Sequence, residues 1–272
     1  QNTVERVLKG QHVVSNMELA GSSCQVTANP VYNENQVTGA VLLIQDVTER
    51  MRGEQMRREF TANVSHELKT PLTSISGFAE IIQDGYVKPE DTKKFAGRIF
   101  KEAQRLITLV NDVIKISQLD EGKIVFEKET VDLYEETREI FKRLEQKAEE
   151  AGVHLYLYGS HRKVTTVKTI LEEILFNLCD NGVKYNKPGG SLTVTIQGEE
   201  KRPQILVEDT GIGIALEDKN RIFERFYRVD KSHSKAIGGT GLGLSIVKHG
   251  SMFLGCLLYT SPSPRDRQKS RM

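Results

Sequence analysis

The run NVSHELKTPL, Asn63–Leu72, sets a histidine beside a carboxylate, with a proline five residues beyond the histidine. Neutral imidazole keeps a nitrogen lone pair free near neutral pH and is a competent nucleophile. In helical register Phe60, Val64, Leu68, Leu72, Ile75, Phe78 and Ile82 form an apolar stripe, and His66 falls opposite its centre. His66 is therefore expected to face water, with Thr70 one turn on along the same side. Glu67 is placed to hydrogen-bond one ring nitrogen and take its proton as the other attacks. Pro71 removes a backbone donor and is expected to bend the helix. A lone His-Glu pair is more often a solvated surface feature, so its meaning depends on the rest of the chain.

Three other stretches carry chemistry. In NLCDNGVKYN, Asn177–Asn186, the amides of Asn177 and Asn181 lie one helical turn apart and share a face. Neutral oxygen ligands completed by water and phosphate suit Mg²⁺. Lys184 can meet a phosphate and Tyr185 can pack on a base. In EDTGIGI, Glu208–Ile214, Asp209 can accept a hydrogen bond from an amine such as adenine N6, while Gly211 and Gly213 permit a tight turn under a flat ring. In GGTGLGLSIVK, Gly238–Lys248, Gly239, Gly241 and Gly243 free backbone amides to surround phosphate oxygens ahead of a helix N-terminus. Neither a Walker loop nor the dinucleotide G-x-G-x-x-G pattern occurs there. Each stretch also has a plain reading, as a polar helix end, a strand-to-loop turn or a glycine hinge.

The elements that must position these residues follow from periodicity. Val41–Ile44, bounded by Gly39 and Asp46, suits a buried strand, and NPVYNENQVTG before it has hairpin composition. Residues 51–118 read as two long helices broken at DGYVKPED, the second carrying Phe95, Ile99, Ala103, Leu106, Val110 and Val113 at heptad-like spacing. Such a hairpin leaves an apolar seam that a second copy would cover as a four-helix bundle. Beyond a linker, Asp132 with Glu135 is expected to cap a helix running to about Glu150. HLYLY, LTVTI and ILVED then read as strands, TILEEILFNLCDN as a helix, and the stretch around Ile222 as a short helix, giving an α/β sandwich. The ending GCLLYTSPSPRDRQKSRM is basic, rich in serine and proline and aperiodic, and is expected to be disordered or non-native, with the look of translated cloning sequence.

The 272 residues carry a net charge of +1, which argues against a dedicated nucleic-acid binder. Three scattered cysteines, Cys24, Cys179 and Cys256, suit a reduced, cytosolic setting. No apolar run approaches the roughly 18 residues of a membrane span, and no signal peptide is visible. The first residue is Gln1, so a fragment is expected, with any membrane segment lying upstream.

Taken in order, the motifs resemble those of bacterial two-component sensor histidine kinases. SHELKTPL is similar to the family's H box, NLCDNGVKYN to its N box, EDTGIGI to its G1 box, FERFYRVD (Phe223–Asp230) to its F box, and GGTGLGLS to its G2 box. The resemblance covers roughly residues 40–255, and the wording is nearest the phosphate-regulon-type kinases. It implies a multidomain α and α+β architecture. Residues 1–48 would be the C-terminal part of a PAS-like sensor domain. Residues 49–121 would be a dimerisation and phosphoacceptor hairpin. Residues 122–255 would be a GHKL-type ATP-binding domain, incomplete at its end, and 256–272 a tail. His66 would take the ATP γ-phosphoryl group, with Glu67 as its acid/base partner. Thr70 would position water for dephosphorylating a response regulator. Asn177 and Asn181 would serve Mg²⁺ and the phosphates, and Lys184 and Tyr185 would flank the nucleotide. Asp209 would hold the adenine beside Gly211 and Gly213. Gly239, Gly241 and Gly243 would shape the phosphate end, under a lid from about Arg228 to Gly238. In that lid His233 stands where many relatives have arginine, with Lys231 and Lys235 nearby to compensate.

The implied cofactors are ATP and Mg²⁺, and the implied partners a second copy and a receiver domain, with no nucleic acid. The implied location is the cytoplasmic portion of a membrane sensor. Relatives usually continue past KHG with two further strands, so an exposed sheet edge and a destabilised ATP-binding domain are expected. The competing readings are a non-kinase ATPase of the same nucleotide fold, such as the heat-shock chaperone or mismatch-repair classes, and a kinase-inactive scaffold. The histidine on a dimerising hairpin discriminates against the first.

Overall fold

A computed structural model describes residues 2–33, 36–121, 126–229 and 239–260. The chain forms two compact units, Gln1–Ser65 and His66–Met272.

In the first unit a short helix α1 (Asn2–Leu8) precedes three strands, β1 (Val13–Leu19), β2 (Ser22–Asn33) and β3 (Gln36–Asp46). They form an antiparallel meander in the order β1-β2-β3, and the β2–β3 pairing runs from Cys24↔Asp46 to Asn33↔Gln36, as the hairpin composition predicted. The small core joins Val7 of α1 to Val13 and Ala28. Val41–Ile44 do lie in a strand, but the expectation that they are buried is corrected: all four are exposed, Leu43 by 62%. A continuous apolar run suits a strand covered on both faces. Here β3 is an edge strand among the described residues, and the cluster under α1 takes in Val13, Ala28 and, from β3, the partly buried Ala40.

Helix α2 (Thr48–Gln83) begins in this unit, its first turn held by the Asp46 carboxylate accepting from the Thr48 N–H at 2.9 Å. It continues into the second unit without a break at Pro71, which is buried. After a turn at residues 84–88, α3 (Pro89–Glu121) returns, with proline at its first position where no N–H is needed. The Phe78 and Phe95 rings meet edge to face at 5.8 Å across the hairpin. Phe95, Ile99, Ala103, Leu106 and Val113 are half-buried, whereas Phe100, Ile107, Val110 and Ile114 stand 40–64% exposed. The exposed seam is thus a different stripe from most of the predicted one. Among the described residues, no helix is long and apolar enough to cross a membrane.

The remainder of this unit is an α/β sandwich. Strand β4 (Glu129–Asp132) pairs antiparallel with β6 (Lys163–Thr166). Strand β5 (His154–Gly159) pairs parallel with β7 (Ser191–Glu199), which pairs antiparallel with β8 (Arg202–Asp209). Three helices supply the other layer: α4 (Leu133–Ala151), α5 (Lys168–Lys184) and α6 (Gly243–Leu254). Asp132 caps α4 by accepting from Tyr134 and Glu135 N–H groups, and left-handed Gly152 ends it. Ile140, Leu144, Leu175, Leu192 and Ile196, each at most 2% exposed, form the core between α4, α5 and β7. On β8, Ile205 and Val207 pair with buried Ile196 and Val194 yet are only half-buried, because β8 is the last strand of this sheet among the described residues.

The short helix expected around Ile222 is corrected to a series of turns, in which Ile222 N donates to Asp218 O at 2.9 Å and the neighbouring bonds, such as Arg221 N to Asp218 O at 2.8 Å, span three residues. The chain then leaves helical geometry at Phe226 (φ 64°), whose N–H donates to the Gly241 carbonyl. Tethering to the glycine-rich loop outweighs the local helical preference.

Candidate functional site

Helix α5 divides its surface three ways. Leu171, Leu175, Cys179 and Val183 face the sheet and α4, while Ile170 and Ile174 face Val247 of α6. The remaining stripe, at four-residue steps, is Glu173, Asn177 and Asn181, followed by Lys184. Apolar packing on two sides therefore fixes the direction of the polar third.

Asn177 donates from its amide nitrogen to the Glu173 carbonyl at 2.8 Å, which orients its oxygen toward the glycine-rich loop. A methyl group at Gly243 would stand 2.6 Å from that oxygen, so the loop approaches α5 as closely as glycine alone allows. Among the described residues no His, Cys, Asp and Glu cluster could hold a metal. The candidate cation donors are thus the Asn177 oxygen, anchored at its other end, and half-buried Asn181 one turn on. This neutral oxygen set fits Mg²⁺ completed by phosphate and water.

The Lys184 ammonium lies against Gly239 and 5.2 Å from the Tyr185 ring centre. Burial pulls its pKa down to about 8, against the opposing pull of Asp180, and burial likewise pushes the Tyr185 hydroxyl up. A phosphate beside Lys184 would favour the charged form and restore the higher value. Nucleotide binding is therefore expected to take up a proton at pH 8–9 and almost none at pH 7. Calorimetric titration with ATP in buffers of different ionisation enthalpy measures that uptake, and Lys184→Met should remove it. The unliganded fold itself gains stability from this group as pH rises from about 8 toward 10.5, because the unfolded chain then binds more protons.

The end of β8 closes the other side. Asp209 accepts from the Gly211 N–H at 2.8 Å through one carboxylate oxygen. Ile212 N donates to the Tyr185 carbonyl, joining this loop to the end of α5. Gly213 and Gly241 adopt left-handed φ values of 68° and 74°. The structure thus brings Asn177, Lys184, Tyr185, Asp209, Gly211, Gly239 and Gly243 into one neighbourhood around α5. The lid stretch with Lys231, His233 and Lys235 lies outside the described residues.

On α2, His66 and Thr70 are exposed, and Thr70 turns its hydroxyl back to the His66 carbonyl at 3.2 Å. Glu67 is directed elsewhere than expected. Its carboxylate lies 3.6 Å from Arg105 and 3.7 Å from Arg228, and among the described residues no hydrogen bond joins it to the His66 ring. Two guanidinium groups outcompete one imidazole for a carboxylate.

Three contacts were not foreseen. Arg228 also donates to the Gly239 carbonyl. Thr240 donates to Asp112 of α3 at 2.7 Å, where burial raises the carboxyl pKa. Arg225 meets both Asp120 oxygens at 2.7 Å, with His249 3.1 Å from the same carboxylate. No local signal marks the Thr240–Asp112 and Arg225–Asp120 pairs, because their partners lie more than a hundred residues apart.

An exposed histidine on a helical hairpin, followed by an α/β layer with an amide, lysine and glycine-loop pocket, defines a phospho-acceptor segment joined to a nucleotide-binding one. Comparison with known proteins gives the same two parts. Residues 56–122 match the His Kinase A (phospho-acceptor) domain, and residues 166–267 the histidine kinase-, DNA gyrase B- and HSP90-like ATPase domain. The sensor histidine kinase WalK of Bacillus subtilis is 36% identical over 224 residues, covering 78% of this chain and 36% of WalK. The structure of Acinetobacter baumannii histidine kinase AdeS superposes with a TM-score of 0.58 at 26% identity, over 69% of this chain and 86% of that one. Histidine kinase ThkA, solved in complex with the response regulator protein TrrA, gives 0.53 at 25% identity, over 84% and 71%. The chain belongs to the sensor histidine kinases. It spans about a third of the length of the curated relatives it matches.

Proposed function

We propose that this chain is the kinase portion of a sensor protein that uses Mg-ATP to phosphorylate His66 and passes the phosphoryl group to an aspartate of a response regulator receiver domain. The observation that carries the reading is the placement of exposed His66 in the same unit as the Asn177, Lys184 and glycine-loop pocket. The His66 nitrogen lone pair attacks the γ-phosphorus, the bond to the ADP oxygen breaks, and the proton on the other ring nitrogen passes to Glu67. Glu67 can take it once Arg228 exchanges the carboxylate for the γ-phosphate. Mg²⁺ held through Asn177, Asn181 and the phosphates would neutralise charge there, and positioning supplies most of the rest. Lys184 meets the phosphates, Tyr185 and Asp209 the base, and Gly211, Gly213, Gly239, Gly241 and Gly243 let backbone approach the nucleotide. Thr70 orients water when the same hairpin dephosphorylates the regulator.

In this reading residues 1–48 end a PAS-like sensor domain, 49–121 form the phosphoacceptor hairpin, 122–255 the ATP-binding domain and 256–272 a tail. The exposed stripe Phe100, Ile107, Val110 and Ile114 supports a homodimer, since its seven-residue repeat suits a four-helix bundle.

Incubation with labelled ATP and Mg²⁺ is expected to give an acid-labile, base-stable label on the chain. His66→Gln should lose that label and keep nucleotide affinity. Label persisting at the wild-type level in His66→Gln overturns the assignment. ATP hydrolysis with no label on the chain favours a non-kinase ATPase, and neither activity favours a scaffold.

A further inference from the structure

We infer, resting on the histidine-kinase reading above, that phosphoryl transfer runs within one chain: each ATP-binding part phosphorylates the His66 of its own hairpin. The first support is a bridge made by one atom. Arg228 Nη2 lies 3.7 Å from Glu67, the residue next to His66, and the same nitrogen donates to the carbonyl of Gly239. Gly239 in turn lies against the Lys184 ammonium. The phosphate end of the pocket is therefore one guanidinium away from the neighbour of the chain's own phosphoacceptor. The Arg228 side chain is 13% exposed, which limits how far it can swing. In-line attack needs the reacting atoms about 3–3.5 Å apart, so α2 and the loop must close on each other before transfer.

The second support is how the ATP-binding part is anchored. Three contacts along α3 hold it: Asp112 to Thr240 at 2.7 Å, Lys115 to Glu173 at 2.6 Å, and Asp120 to Arg225 at 2.7 Å. They span two turns of one helix face. One of them grips the glycine-rich loop itself, since Thr240 also accepts from the Leu242 N–H at the start of α6. Buried Ile116 and half-buried Leu119 lie on the same face, and Leu119 packs against the cluster around Val247. This set fixes the ATP-binding part to the α3 of its own chain, the helix paired with the α2 that carries its own His66.

The third support is that the two uses of α3 do not compete. The stripe Phe100, Ile107 and Ile114 lies well around the helix from Asp112 and Ile116, at 100° per residue. A second copy can therefore cover the seam while each ATP-binding part stays over its own α2.

The test is a mixed pair. Wild-type chain is co-expressed with an Asn181→Ala chain made longer by an affinity tag, and pairs captured through the tag are given labelled ATP and Mg²⁺. Transfer within the chain puts all label on the shorter, wild-type band. Label on the tagged Asn181→Ala band overturns the inference. Asp209→Asn, in place of Asn181→Ala, guards against a misfolded partner, and must give the same band. If no mixed pair is captured, the two chains are unfolded together and refolded as a mixture before capture, and the same two bands decide. A wild-type preparation that takes no label overturns the kinase reading and this inference with it.

Discussion

Gly211→Ala is expected to weaken ATP binding about ten- to hundredfold while the ATP-binding part still unfolds cooperatively. A methyl group there would overlap the Tyr185 carbonyl oxygen and come within 2.8 Å of the Asp209 carboxylate. Both are fixed: Tyr185 O accepts from Ile212 N, and Asp209 accepts from Gly211 N itself. The loop can relieve the clash only by moving away from the end of α5, which carries the Asp209 carboxylate off its position. Overpacking of this kind costs about 1–3 kcal/mol, and each 1.4 kcal/mol lost from binding is about tenfold in Kd. Titration of a fluorescent ATP analogue, alongside a melting curve without nucleotide, measures the two effects separately. Gly97→Ala on α3, where a methyl meets nothing within 4 Å, is the matched control and should leave Kd unchanged. Wild-type affinity in Gly211→Ala would remove the structural role assigned to this glycine.

The contrast between Gly211 and Arg228 shows what a sequence can and cannot convey here. Gly211 is legible because glycine marks the turn out of β8 locally, although the atom that bars a methyl there, the Tyr185 carbonyl oxygen, comes from the end of α5. The Asp132 cap of α4 is legible for the same reason, since cap and helix are neighbours in the chain. The shared face of Asn177 and Asn181 on α5 follows from periodicity alone. Val41–Ile44 shows the limit of that method. Its apolar run gives the strand correctly, but burial depends on what packs over it, and that is not written in the run. Likewise the heptad-like set on α3 marks apolar positions without saying which stripe faces α2 and which faces outward. Glu67 is the clearest case: its sequence neighbour is His66, yet charge draws its carboxylate to Arg105 and Arg228. The Thr240–Asp112 contact joins residues 128 positions apart, and only the folded chain brings them together.

Leu175→Ala is expected to destabilise the ATP-binding part by about 2–5 kcal/mol, the range for emptying a fully buried leucine site. Leu175 is 1% exposed and packs among Ile140, Leu144, Leu192 and Val194, the residues that join α5 to α4 and β7. It lies two positions before Asn177, so the residue that locks the helix on the sheet is close to the residue that faces the loop. That packing, together with the contacts of Ile170 and Ile174 on Val247, holds the site stripe in place. At temperatures well below the transition, the variant should therefore bind ATP nearly as the wild type does. It should lose binding early on heating, as α5 detaches. Saturating Mg-ATP at a hundredfold over Kd should return about 2.7 kcal/mol, through preferential binding to the folded form. Urea unfolding with and without nucleotide checks both numbers, and Leu175→Met, which conserves volume, should stay within about 1.5 kcal/mol of the wild type. A Leu175→Ala chain as stable as the wild type would show that α5 is not held on the sheet by this core.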